Sequence, residues 1–431
     1  MRVTAVDAWE VLDSRGDPTV RVRVAVDGAG GDGVGTFTVP SGASTGAHEA
    51  VERRDGDDRY RGRGVREACA AARGELADAA CGRDPTDQRA LDAALVDRDG
   101  TDDLSRLGAN AVLGVSGAVA HAAADARDRP LYAHLADVDE RGDGPGPLPT
   151  PTVNVLSGGL HAEGGIEIQD FLVVPVGAAD YPDALAAVWS VRAAVRDRLV
   201  GAGRRPLVAD EGGFAPPLAS ADEAFALLAD AARDAGLEPG EDGDVAFAVD
   251  VAATHFHDAA SGTYRLESLG RELDAAEMVD LVAGWVEDWP LVSVEDPLAE
   301  DDWAAWRALR DRVGDGVQVL GDDLLVTDAN RLRRAVETDA ATAVLVKPNQ
   351  AGTLTRATDV VAAARDAGVA PVVSARSGET RDATVADLAV ATGAGQLKVG
   401  SLARSERLAK YNRLLGLAHR RDLGFATPFT A

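Results

Sequence analysis

In the second half of this 431-residue chain, short apolar, β-branched runs repeatedly end in a side chain able to do chemistry. The run 291–294 leads into Glu295-Asp296-Pro297, 245–249 into Asp250, and 317–320 into Gly321-Asp322-Asp323. The run 343–346 ends in Lys347, 369–373 in Ser374-Ala375-Arg376-Ser377-Gly378, and 396–397 in Lys398. Carboxylates at the tip of a buried strand are costly unless a cation meets them, and strand carboxyl ends are where α/β folds bind ligands. Any one of these acids would pass as a loop or helix-cap residue. Asp250, Glu295 and Asp322 at successive strand ends, with Lys347 only 25 residues beyond the last, read as a set. Three hard oxygens suit Mg²⁺, which needs few protein ligands and leaves room for water and substrate.

A metal beside a lysine suits removal of a proton next to a carboxylate. That C–H is a very weak acid, so the enolate charge needs divalent cations and the base needs an ammonium deprotonated by its cationic surroundings. If a hydroxyl then leaves from the next carbon, a general acid is required across from the base. Asp210-Glu211-Gly212-Gly213, directly after the run 207–209, offers one. Arg376 and Ser377 in a Gly-containing loop make a phosphate clamp, and Lys398 can neutralise a carboxylate. The lysines carry extra weight: Lys347, Lys398 and Lys410 are the only three among 44 basic residues. Arginine cannot act as a base, so a lysine kept in so arginine-rich a chain points to a required ammonium.

The elements that must position these groups follow from periodicity. Runs at 153–156, 171–176, 207–209, 245–249, 291–294, 317–320, 343–346, 369–373 and 396–399 alternate with helical stretches from 183–200 to 405–419. About eight strands alternating with helices fit a (β/α)8 barrel, with an irregular start of two strands before regular units begin. Upstream, 3–12, 20–26 and 35–39 read as strands, and 65–80, 86–96 and 109–126 as helices. This gives an N-terminal α+β capping domain over 1–138, a Gly/Pro-rich linker at 139–151, and the barrel over 152–431. Trp285, Trp289, Trp303 and Trp306 have helical spacing within pairs and are expected to pack the barrel; His255 and His257, in the loop after Asp250, are expected to be exposed.

Composition bounds the partners. The net charge of −27 disfavours nucleic acid and anionic membranes. An acidic, lysine-poor surface with 4% aromatics suits high salt, where carboxylate self-repulsion is screened. No run of about 18 apolar residues is present, and the N-terminus lacks a signal-peptide layout, so a cytoplasmic protein is expected. Two cysteines, Cys69 and Cys81, make neither a disulfide framework nor a metal site.

At this point the motifs DSRGDPTV, VPSGASTGAHEA, DEGGFAP, VSVEDPLAEDDW, KPNQAGTL, SGET and GQLKVGSLARSERLAKYN carry a resemblance to the enolase family, of the kind a halophilic archaeon would make. They span the chain from Asp13 to Asn412. The resemblance implies an irregular enolase-type (β/α)8 barrel under a smaller N-terminal α+β domain, and a homodimer or larger oligomer. It implies reversible dehydration of 2-phosphoglycerate to phosphoenolpyruvate with two Mg²⁺ per site. Matched position by position, it implies Asp250, Glu295 and Asp322 as tight-metal ligands, Ser44 as a ligand of the second metal, Lys347 as base and Glu211 as acid. Gln169, Arg376, Ser377 and Lys398 match substrate contacts, with His161 nearby and Asp170 supporting the acid side. Three positions depart from the family pattern. Ala375 stands where the family has histidine, Asp170 where it has glutamate, and Ser157 where asparagine is usual. These departures admit other expectations: a diverged superfamily paralogue acting on another carboxylate, or a catalytically impaired metabolite-binding protein.

Overall fold

The computed structural model describes residues 1–28, 31–43, 46–139, 142, 144–162, 166–421 and 423–429. The N-terminal domain opens with an antiparallel sheet of β1 (Arg2–Leu12), β2 (Pro18–Asp27) and β3 (Gly33–Thr38). In β2 the valines at 20, 22, 24 and 26 are buried, the period of a one-faced strand. They pack against the helix Ala109–Ala126, whose small residues allow close approach. Gly35 is needed there, since a Cβ would sit 2.0 Å from the Ala118 carbonyl oxygen. The helix expected over 65–80 is present but carries a wide turn at Ala72–Leu76, and a further short helix, Leu131–Val138, precedes the linker.

The barrel comprises β4 (Thr150–Ser157), β5 (Asp170–Val174) and β6 (Ala246–Asp250), then, after a small outlying sheet of β7 (His257–Asp258), β8 (Thr263–Leu266) and β9 (Arg271–Leu273), the strands β10 (Leu291–Glu295), β11 (Gln318–Gly321), β12 (Ala343–Val346), β13 (Ala370–Ser374) and β14 (Gln396–Lys398). It closes in the order β10-β11-β12-β13-β14-β4-β5-β6. β5 runs antiparallel to both neighbours, and every other pairing is parallel. An irregular start is expected from the sequence, but not the reversal of β5.

Three local expectations are corrected. The run 207–209 forms no barrel strand; Val208 makes only an isolated bridge to Phe214, since Asp210 and Glu211 turn the chain back at once. Thr150 and Pro151, expected in the linker, already belong to β4. His255 is exposed as expected, whereas His257 lies in β7, half-buried, with its ring 4.7 Å from that of Tyr264. The tryptophans pack as expected: Trp306 is fully buried and its Nε1 donates to the Ala299 carbonyl at 3.0 Å.

Candidate active site

Five parallel strands, β6, β10, β11, β12 and β14, each bring a side chain to the same rim. Glu295 is the register partner of Asp250 on β6 and of Leu320 on β11, two residues before Asp322. Lys398, the last residue of β14, places Nζ 2.7 Å from Asp250 Oδ2 and 2.6 Å from Glu295 Oε2. Lys347, just past β12, is ion-paired to Asp322, and Gln169 Nε2 donates to Asp250 Oδ2 at 3.1 Å. Three clustered carboxylates thus face two ammoniums. Removing one partner of such a buried pair costs about 3–5 kcal/mol, so the rim requires cationic company. Burial and the adjacent Asp250 push the Glu295 carboxyl well above the usual range. Burial also raises Asp322, but Lys347 and Arg376 outweigh it and hold that carboxyl below its ordinary value. Burial would lower Lys347; Asp322 keeps it raised. Hard anionic oxygens such as those of Asp250, Glu295 and Asp322 are the donor type that Mg²⁺ takes.

The residues expected to clamp a phosphate lie next to this rim. Arg376 is buried and makes a two-pronged pair with Glu49 at 2.9 and 3.1 Å. Ser377 Oγ accepts from the Ala43 amide at 2.7 Å and from Arg15 Nη1 at 3.4 Å. The strand-following loop is held from beneath by Arg407, fully buried, which donates to the Arg376 carbonyl at 2.5 Å and to the Ser377 carbonyl.

The acid side is assembled differently. Glu211 sits in the tight turn between Val208 and Phe214, which bridges to Leu156 of β4. Burial pushes its carboxyl up. Arg407 at 3.8 Å, with His161, Lys398 and Lys347, outweighs burial and pulls it down to about 2. Because β5 is reversed, Asp170 lies at its start yet at the same rim, as register partner of both Ser157 and Asp250. Its carboxylate accepts from Ser157 Oγ at 2.8 Å, from Asn154 Nδ2, and from His161 Nδ1 at 3.1 Å. Burial alone would lower His161; Asp170 outweighs it and holds the imidazole up at about 9.

These residues converge. His161, Gln169, Asp170, Glu211, Asp250, Asp322, Lys347, Ala375, Arg376, Ser377 and Lys398 line one small cavity of about 30 Å³. Glu295 joins through Lys398. Ser44 lies outside the described residues. Sequence reasoning missed Glu49, Asn154, Asp296, Gln350 and Arg407. Gln350 Nε2 donates to Asp322 Oδ1 at 2.9 Å and to Glu49 Oε1 at 3.2 Å. Glu49, Gln350 and Arg407 fall inside recognisable motifs, but no spacing rule marks them. Asn154 and Asp296 meet their partners through side-chain hydrogen bonds to residues distant in sequence.

Comparison with known proteins agrees with this geometry. Residues 3–135 match the family model described as the enolase N-terminal domain, and residues 146–429 match the enolase C-terminal TIM barrel domain. The chain is 50% identical over 421 residues to the enolase of Acidothermus cellulolyticus, covering 97% of this chain and 95% of that one. The chain therefore belongs to the enolase family of Mg²⁺-dependent lyases, and its activity is that of a phosphopyruvate hydratase, the glycolytic dehydration of 2-phosphoglycerate to phosphoenolpyruvate.

Proposed function

We propose that Lys347 takes the proton from the carbon next to the substrate carboxylate and that Glu211 protonates the departing hydroxyl. The observation that carries this assignment is the single cavity that both side chains line, Lys347 from the end of β12 and Glu211 from a turn joined to β4, three strands further round the barrel. Arg376 and Ser377 hold the phosphate, while Lys398 and Gln169 orient the carboxylate. An anionic substrate beside Glu211 offsets the cations that depress it, and so moves it toward the protonated form an acid needs. Asp250, Glu295 and Asp322 hold one Mg²⁺ and Ser44 helps hold a second. Bound there, Mg²⁺ would supply the positive charge that proton removal beside a carboxylate requires, while Asp322 would serve as its ligand.

Ala375, Asp170 and Ser157 are read as departures from the family pattern that the site tolerates. Ser157 and Asp170 are cross-strand partners, and the serine hydroxyl reaches the shorter carboxylate directly. His161, kept cationic by Asp170, leaves the acid side with one charged imidazole. A phosphate clamp built on Arg376 and Ser377 favours a phosphorylated substrate over the other carboxylates of a diverged paralogue. The acidic, lysine-poor surface supports a halophilic origin and work at high salt, and a cytoplasmic setting is proposed with them. Exposed Leu12, Trp189 and Leu207 support a homodimer or larger oligomer. The capping domain to residue 138 and the barrel from 152 are proposed as the two units.

The test is direct. Purified protein with 2-phosphoglycerate and Mg²⁺ in high KCl should form phosphoenolpyruvate at a rate within the ordinary enzyme range, about 1–10³ per second. Retained Mg²⁺ binding with no product would contradict the residue assignments.

A further inference from the structure

Directly after the metal ligand Glu295, the chain turns through Asp296 at φ +41°, a left-handed conformation that glycine or asparagine adopts more easily. The Asp296 side chain is buried, and each oxygen has its own donor. Oδ1 accepts from the Asp322 amide at 2.9 Å and Oδ2 from the Asp323 amide at 2.8 Å. Its backbone is committed as well. The Asp296 amide donates to the Leu320 carbonyl at 3.0 Å, and its carbonyl accepts from the Ala253 amide at 3.0 Å. One residue thus ties together the tips of β6, β10 and β11, the three strands that end in Asp250, Glu295 and Asp322.

We propose that Asp296 is a positioning residue for the tight Mg²⁺ site: its carboxylate fixes the turn that aims Asp322 at the ion. This rests on the metal-ligand assignment above. The reasoning is geometric. The Asp323 amide is buried and the Asp322 amide part-buried behind the rim, and a buried amide without an acceptor is disfavoured. A glycine would satisfy the backbone angle but supply neither acceptor. An asparagine supplies one acceptor oxygen and turns an NH₂ group toward the second amide. Only a carboxylate meets both at once. Groups that orient metal ligands in this way typically govern affinity by about 10–100-fold.

The experiment measures Mg²⁺ binding by calorimetry in the full-length protein, without substrate, for wild type, D296N, D296G and D322N. Thermal unfolding in the absence of Mg²⁺ is recorded in parallel. D296N is expected to weaken Mg²⁺ binding about 10–100-fold while remaining folded at the assay temperature. D296G, which relaxes the backbone angle, should lose at least as much affinity. A merely structural turn would lower the unfolding temperature and leave the Mg²⁺ affinity of the folded fraction unchanged. That result in D296N or D296G, alongside lost binding in D322N, would overturn the proposal and leave the ligand assignment intact. Unchanged binding in D322N would instead overturn the ligand assignment and this proposal with it. Mg²⁺ binding without turnover in the wild type would count against the catalytic assignments alone.

Discussion

On one side of the cavity, Asp250, Glu295, Asp322, Lys347 and Lys398 all stand at or just past the ends of parallel strands. On the other side, Glu211 comes from a turn, His161 from the short helical turn Gly159–His161, and Asp170 from the start of a reversed strand. The first side is neutralised by its neighbours in the sheet, Lys398 bridging two carboxylates and Lys347 pairing with the third. The second depends on Arg407, which comes from a distant helix, Ser405–Arg420, and meets both Glu211 and the clamp loop. The sheet itself sets the spacing of the parallel strand ends. A turn has no such ladder and needs a buried cation to hold its carboxylate.

The comparison is broken most severely at Lys347. Lys347→Ala should lower phosphoenolpyruvate formation by about 10²–10⁴, and should abolish exchange of the proton next to the carboxylate as well, followed by deuterium loss in NMR. Exchange surviving in that variant would remove the base from the sheet side.

A smaller effect is expected at Ala375. Because Ser157, Asn154 and His161 already satisfy Asp170, Ala375→His should change kcat by less than about tenfold, well under the 10²–10³ typical of restoring a missing transition-state contact. A rise of that larger size would show the acid side to be impaired as it stands.

The smallest effect is in stability against pH. His161 is raised to about 9 in the fold, above its ordinary value near 6.5. Its contribution is therefore fully present below about pH 6.5 and is lost as pH rises through about 9. Thermal unfolding of the Mg²⁺-free protein should show a decline of a few degrees over that window, and Asp170→Asn should flatten it. An equal slope in the variant would mean the pair is not what holds the imidazole.

The same contrast explains what could be read from the chain. Asp250, Glu295, Asp322, Lys347 and Lys398 were legible because each follows a short apolar run, and the family motifs placed the same residues. The capping domain's alternation in β2 was equally plain. The run 207–209 looked like a strand because three apolar residues carry no information about the turn that follows. Asp170 was legible from its motif, yet its place at the rim depends on β5 running backwards, which periodicity does not encode. Asp296 stood in plain view beside Glu295, but its work is done through the amides of Asp322 and Asp323, 26 and 27 residues away. Arg407, Gln350 and Glu49 act through tertiary contacts between separate elements, and no local pattern announces such contacts.

The central claim is that base and acid are separate groups on differently built sides of one cavity. It is tested most directly by measuring proton exchange and dehydration together in Glu211→Gln, with 2-phosphoglycerate and Mg²⁺ in high KCl. The account predicts that dehydration falls by about 10²–10⁴ while exchange of the proton beside the carboxylate persists through Lys347. Parallel loss of both would contradict it, and would mean that Glu211 serves the proton abstraction itself.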